Sequence, residues 1–323
     1  MKLIIQIPCY NEEETLAETL HDLPRKVEGF DRVEWLIVDD GCTDRTVEVA
    51  RANGVDHIVR QPVNRGLAKA FLKGLESSVS YGADVIVNTD ADNQYNAKGI
   101  HELVKPIVGG QADIVVGARP ISEIEEFSPI KKLLQKLGSS VVRKFSNTNV
   151  TDAPSGFRAF SREAARMLNV FSEYTYTLET LIQAGQSGLS IINVPVRVNS
   201  KTRESRLVKN IFSYVNRSIA TLFRIYVIYK PMRFFLTIGT ILNVIGGLIG
   251  LRFLYYFITE GEAGKIQSLI LAAILIGSGI QMFVVGVISD LLSVNRRLLQ
   301  QNQLRLKYIE EKLTSESKIN TRK

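Results

Sequence analysis

Short apolar runs and amphipathic stretches alternate through the first 200 residues. KLIIQIP (2–8), VEWLIVDD (33–40), DHIVRQ (56–61), ADVIVNTD (83–90) and ADIVVGAR (112–119) are rich in β-branched residues and lack strict apolar/polar alternation. Such runs suit strands buried on both faces of a mostly parallel sheet. The intervening stretches NEEETLAETLHDLPRKV, TDRTVEVARANG, RGLAKAFLKGLESSVSYG and NAKGIHELVKPIVGG carry a helical apolar period and end near a glycine. The alternation predicts an α/β, doubly wound, Rossmann-like domain over residues 1–200.

The last third follows another pattern. Phe234–Phe257 and Leu269–Ile288 are almost uncharged, and each is long enough to cross a hydrocarbon core, which takes about 20 apolar residues. They predict two transmembrane helices within 234–289. Arg252 is close enough to a span end to snorkel. Arg217, Arg224, Lys230 and Arg233 precede the spans and Arg296, Arg297, Arg305 and Lys307 follow them, whereas the connecting TEGEAGKIQ has only Lys265. That bias predicts that the large domain and both termini are cytoplasmic. The N-terminus lacks the pattern of a signal peptide. Before the spans, 201–233 reads as an amphipathic basic segment, with Leu207, Ile211, Phe212, Val215, Ile219, Leu222 and Tyr226 on one helical face. Such a segment lies in the interface of an anionic leaflet. After them, 290–323 reads as a cytoplasmic helical tail. Ile288, Leu292, Asn295, Leu299, Asn302, Leu306, Ile309 and Leu313 recur at spacings of four and three. This heptad period predicts parallel pairing with another copy of the chain, a homo-oligomer.

Composition adjusts this picture in two places. The net charge of +7 belongs to the membrane-facing segments, so no nucleic-acid partner is expected. Cys9 and Cys42 fit no metal-ligand spacing and predict free thiols in a reducing compartment. His21, His57 and His101 are scattered and read as surface residues.

The chemistry gathers where the predicted strands end. PCYNE follows the first, DDGCTD the second and NTDADNQ the fourth, and ligands of doubly wound sheets bind beyond the carboxyl ends of the strands. No GxxxxGK[ST] or GxGxxG is present to cradle a diphosphate with backbone amides. A hard divalent cation, Mg2+ or Mn2+, held by Asp90 and Asp92 would neutralise it instead.

In that order and on those elements, IPCYNEEETL, VDDGCTDRT, NRGLAKAF, NTDADNQY and VTDAPSGFRAFSRE resemble a family 2 glycosyltransferase with a GT-A fold. The closer resemblance is to polyprenyl-phosphate glycosyltransferases of the dolichol-phosphate mannose synthase type, over about the first 230 residues. Cys42 departs from it by standing where Ser is usual. The resemblance implies nucleoside contacts by Pro8, Tyr10 and Glu12 with Asp39 or Asp40, and metal and diphosphate contacts by Asp90, Asp92 and Gln94. It also implies transfer of a sugar from a UDP- or GDP-linked donor to undecaprenyl or dolichyl phosphate with inversion, for cell-surface glycan or protein glycosylation.

Charge suggests the acceptor side. Arg119 in GARP, Arg158 in SGFR, the basic KKLLQKLGSSVVRKF (131–145), and Arg203 and Arg206 are expected to face a lipid phosphate, with Asp92, Arg119 and Arg158 as the catalytic set. That phosphate has a second pKa of about 6, so it attacks as a dianion and needs no general base. A processive polysaccharide synthase would show QxxRW and further spans. A silent membrane scaffold would not need Asp90 and Asp92 together with PCYNE.

Overall fold

The computed structural model describes residues 1–120, 139–140, 142–143, 148–170, 176–199, 220, 223–224, 226–261 and 266–320. The basic segment 131–145 falls largely outside them, and Arg203 and Arg206 fall wholly outside. Two compact units are present, Met1–Ser218 and Ile219–Lys323.

The first unit opens with the predicted alternation: β1 (Lys2–Cys9), α1 (Leu16–Asp22), β2 (Arg32–Asp39), α2 (Thr46–Ala52), β3 (His57–Arg60), α3 (Leu67–Ser80), β4 (Val85–Asn88), α4 (Gly99–Val108) and β5 (Ile114–Ala118). Four further elements follow, β6 (Arg158–Ser161), α5 (Arg162–Met167), α6 (Thr177–Gln186) and β7 (Ile191–Pro195). The sheet order is β3-β2-β1-β4-β6-β5-β7. All pairings are parallel except those of β6, which runs antiparallel between β4 and β5. Odd positions of β1 (Leu3, Ile5, Ile7) join Trp35, Ile37, Leu103 and Phe157 in one buried layer. Ile4 joins Leu36, Val38, Phe71, Leu75 and Tyr176 in the other. A sheet covered on both faces explains why its strands run apolar without strict alternation.

Proline in a central strand normally removes a ladder bond. Pro8 does not. Gln6 shares its parity, and the Gln6 carbonyl accepts from Thr89 N–H on the β4 side. The ladder with β4 ends at the Gln6–Asn88 pair, so nothing there needs a donor from Pro8. The sheet parts at that point, where the chain moves from β1 outward to β2 on one side and to β4 on the other. This is the switch-point crevice in which doubly wound sheets bind ligands.

The second unit contains α7 (Pro231–Glu260) and α8 (Ile266–Asn320). Pro231–Thr259 and Ile266–Arg296 are long and apolar enough to cross a membrane. They approach closely at glycines: a Cβ on Gly239 would lie 2.7 Å from the Gly279 carbonyl oxygen, the close approach that small residues allow between spans. The tail is continuous with the second span in one 55-residue helix.

Candidate active site

Two loops at the carboxyl ends of β1 and β2 brace each other. Asn11 takes a left-handed conformation, φ 55°, which Asn tolerates better than most residues. Its Oδ1 accepts from Thr43 N–H at 2.8 Å, and its own N–H donates to Cys42 Sγ at 3.3 Å. Glu12 N–H donates to Thr46 Oγ1 at 2.8 Å, while the Glu12 carboxylate accepts from Thr15 Oγ1 at 3.1 Å. Between the acidic pair and Cys42, Gly41 has φ 74°, and a Cβ there would lie 2.6 Å from Asn64 N. Only glycine fits both constraints.

Asp39 and Asp40 are buried and hold different partners. Asp39 accepts from Cys42 N–H at 2.7 Å and Arg60 Nε at 2.8 Å. Asp40 accepts from the N–H groups of Arg65 at 2.8 Å and Gly66 at 2.9 Å. Burial raises the Asp40 carboxyl above its ordinary range despite those two donors. Pro8 is buried at the end of β1, and Tyr10 stands 43% exposed beside it. These residues therefore form one rim, with Tyr10 its exposed aromatic. The Cys42 thiol is pushed up to about 12, chiefly by burial, and so acts as a small neutral group in this turn.

The Asp90–Gln94 turn leaves β4 across the crevice from that rim. Asn93 has φ 53°, which reverses the chain and lets Gln94 N–H donate to Asp92 Oδ1 at 3.2 Å. Asn93 Nδ2 anchors the turn to Asp22 on α1 at 2.9 Å. Asp90, Asp92 and Gln94 are all half-exposed, and oxygen donors of this kind fit a hard divalent cation. Among the described residues no three His, Cys, Asp or Glu side chains gather to enclose a metal. Asp90 and Asp92, with Gln94, are the residues that would hold such a cation, which would supply positive charge beside a bound diphosphate.

Arg119 and Arg158 differ from expectation, because both turn inward. Arg119 Nε and Nη2 clasp Asp152 at 2.7 and 3.0 Å, with side chains 8% and 1% exposed. Burial alone would lower the Arg119 pKa, but Tyr95, Asp152 and Asp90 outweigh it and hold the guanidinium above its ordinary range. Arg158 is wholly buried. Its donors go to the Ser155 and Ala153 carbonyls and Thr180 Oγ1 at 2.8, 2.6 and 2.9 Å, and burial lowers its pKa to about 10. The cause is topological: Arg158 lies in β6, between Asn88 on β4 and Val116 on β5. In this structure neither arginine is a surface cation awaiting a phosphate. Together they fix residues 152–158, Arg119 through Asp152 and Arg158 through Ala153, Ser155 and Thr180.

Asp152, Gly156, Tyr95 and Tyr176 complete this wall and were not singled out from sequence. Burial first, then the Asp90 charge, raises the Tyr176 phenol. Burial likewise raises Tyr95, with Asp90 and Asp152 adding to it against the Arg119 charge. The one available signal was the length of VTDAPSGFRAFSRE, a polar string too long for a simple turn.

Comparison with known proteins gives this geometry a family. Residues 4–168 match the family model described as glycosyl transferase family 2. A UDP-N-acetylglucosamine–dolichyl-phosphate N-acetylglucosaminyltransferase of Methanococcus voltae is 30% identical over 213 residues, covering 59% of this chain and 83% of that protein. A dolichol-phosphate mannosyltransferase of Pyrococcus furiosus is 28% identical over 278 residues, covering 81% and 74%. The fold matches glucosyl-3-phosphoglycerate synthase of Mycobacterium tuberculosis, solved with Mn2+, UDP and phosphoglyceric acid. Its TM-score is 0.54 at 21% identity, over 68% of this chain and 77% of that one. With the crevice, the acidic turn and a profile spanning half its length in agreement, the chain belongs to glycosyltransferase family 2 and has the GT-A fold.

Proposed function

We propose that this glycosyltransferase moves a sugar from a UDP- or GDP-linked donor to a polyprenyl phosphate at the cytoplasmic face of a membrane, with inversion. The observation that carries the reading is the half-exposed Asp90–Gln94 turn beside the β1/β4 crevice, in a chain whose second unit has two helices fit to span a membrane. Relatives named for dolichyl-phosphate acceptors support the lipid.

In this reading the rim of Pro8, Tyr10, Glu12, Asp39 and Asp40 receives the nucleoside. Asp90 and Asp92, with Gln94, would hold Mg2+ or Mn2+, which when bound supplies charge neutralisation for the departing diphosphate. Arg119 and Arg158 position the 152–158 wall. Arg203 and Arg206 are left as the proposed contacts of the lipid phosphate. The acceptor attacks as a dianion, so the chain has to align rather than deprotonate it. An α-linked donor then gives a β-linked product.

The tail suits self-association. Leu292, Leu299, Leu306 and Leu313 fall at heptad position a, and Ile288, Asn295, Asn302 and Ile309 at d. Leu292, Leu299, Leu306 and Ile309 are 62%, 64%, 59% and 51% exposed. Tails leaving one membrane on the same side are already parallel.

The test supplies membranes carrying the chain with polyprenyl phosphate, Mg2+ or Mn2+, and a panel of UDP- and GDP-sugars. One donor is expected to yield a lipid-linked sugar. Free sugar or no product across the whole panel overturns the reading.

A further inference from the structure

Gly156 is held from both sides. Its N–H donates to Tyr95 Oη at 3.2 Å, and its carbonyl accepts from Asn88 Nδ2 at 2.9 Å. The same Nδ2 donates to Tyr176 Oη at 3.0 Å. Asn88 cannot flip without loss, because its Oδ1 already accepts from Gln6 Nε2 at 2.9 Å. Gln6, Asn88 and Tyr176 are all buried, and the Tyr176 ring is stacked on Phe71 at 3.8 Å. The result is a fixed polar line from the middle of β1 to the wall beside Asp90.

At the end of that line there is no spare volume. A Cβ on Gly156 would lie 3.0 Å from Tyr176 Oη and 3.3 and 3.4 Å from the two Asp90 carboxylate oxygens. Gly156 is not among the glycines of positive φ, so the backbone does not demand glycine at this position. Space does. A methyl group would have to move either a hydroxyl fixed by Asn88 or the carboxylate, which is the less buried of the two.

We propose that Gly156 is a positioning residue for the cation site: its bare Cα is the stop against which the Asp90 carboxylate is set, with Tyr176 closing the other side. This rests on the reading of Asp90 as a metal ligand. It assigns control of cation affinity to a residue that donates no ligand, on a segment held by Arg119–Asp152 and Arg158.

The test measures Mn2+ binding directly, by electron paramagnetic resonance on the full chain in detergent without sugar donor or acceptor. Gly156→Ala is expected to weaken Mn2+ binding by about tenfold or more, as loss of a ligand-orienting contact does. Adding Tyr176→Phe removes the hydroxyl 3.0 Å from the new methyl, and the double variant is expected to return to within about threefold of the parent. If Gly156→Ala does not fold, the roomier double variant is compared with the parent by itself, and a folded double variant that fails to bind Mn2+ overturns the proposal. Parent-like binding by Gly156→Ala, or a double variant no better than the single, also overturns it. Asp90→Asn separates the two ideas. Undiminished Mn2+ binding there removes the metal-ligand reading and this proposal with it, whereas Asp90-dependent, Gly156-independent binding removes this proposal alone.

Discussion

Replacing Asp152 by Ala would leave Arg119 with a charge it cannot shed. The pair is bidentate, at 2.7 and 3.0 Å, and Asp152 Oδ2 also accepts from Arg119 N–H at 3.2 Å. At 8% and 1% exposure, water cannot replace the lost carboxylate. Removing one partner of such a buried pair costs about 3–5 kcal/mol. For a unit of this size each kcal/mol lowers the melting point by roughly 2–4 °C, so a fall of roughly 6–20 °C is expected. The assay has a built-in reporter. Trp35 is the only tryptophan in the chain and is buried in the first unit, so intrinsic fluorescence follows that unit's unfolding and not the spans. Arg119→Leu combined with Asp152→Ala removes both charges and is expected to recover most of the loss, since a buried pair exchanged for apolar groups is often neutral. An Asp152→Ala melting point within about 2 °C of the parent, or a double variant no more stable than the single, would refute the pinning role.

Other expectations can be checked one residue at a time. Asp92→Asn should abolish glycolipid formation while leaving the Trp35 melting transition in place; turnover near the parent level would remove the cation from the mechanism. Cys42, with its thiol pushed up to about 12 mainly by burial, should react with iodoacetamide at pH 8 far more slowly than free cysteine, since the thiolate is the nucleophile. Rapid labelling at Cys42 would contradict that environment. Arg206→Ala should raise KM for the polyprenyl phosphate and leave KM for the donor nearly unchanged; an equal rise in both would move Arg206 away from the acceptor. With Cys9 and Cys42 removed, Leu299→Cys should cross-link between copies in intact membranes, and Val294→Cys, off the heptad seam, should not. Equal cross-linking at the two positions would argue against a specific tail interface.

How much of this was readable in advance differs between elements for physical reasons. The five strands from KLIIQIP to ADIVVGAR and the four helices between them announce themselves by period and length, and each appears within a few residues of its predicted place. β6 does not, because RAFS has no β-branched residue to mark it as a strand and period carries no information about strand direction. Yet that strand's reversal builds the wall. Running antiparallel to β4, it sets Arg158 opposite Asn88, so the chain enters β6 at the edge where β4 gives out into the Asp90 turn.

The same reversal decides where the charged residues of the two motifs stand. Asp90, Asp92 and Gln94 sit at a strand end where the chain emerges, so a motif that looks like a ligand set is also half-exposed. Arg158 carries an equally suggestive motif, but it belongs to a strand flanked on both sides, and its guanidinium has only carbonyls and a threonine hydroxyl to meet. Charge is legible in a sequence, whereas the direction in which a charge points depends on the strand order. A buried arginine of this kind must satisfy its donors locally, and here it does so by ordering Ala153 and Ser155, the residues leading into Gly156. The arginine read as a phosphate contact thus serves the site from behind, through the wall against which the Asp90 carboxylate rests.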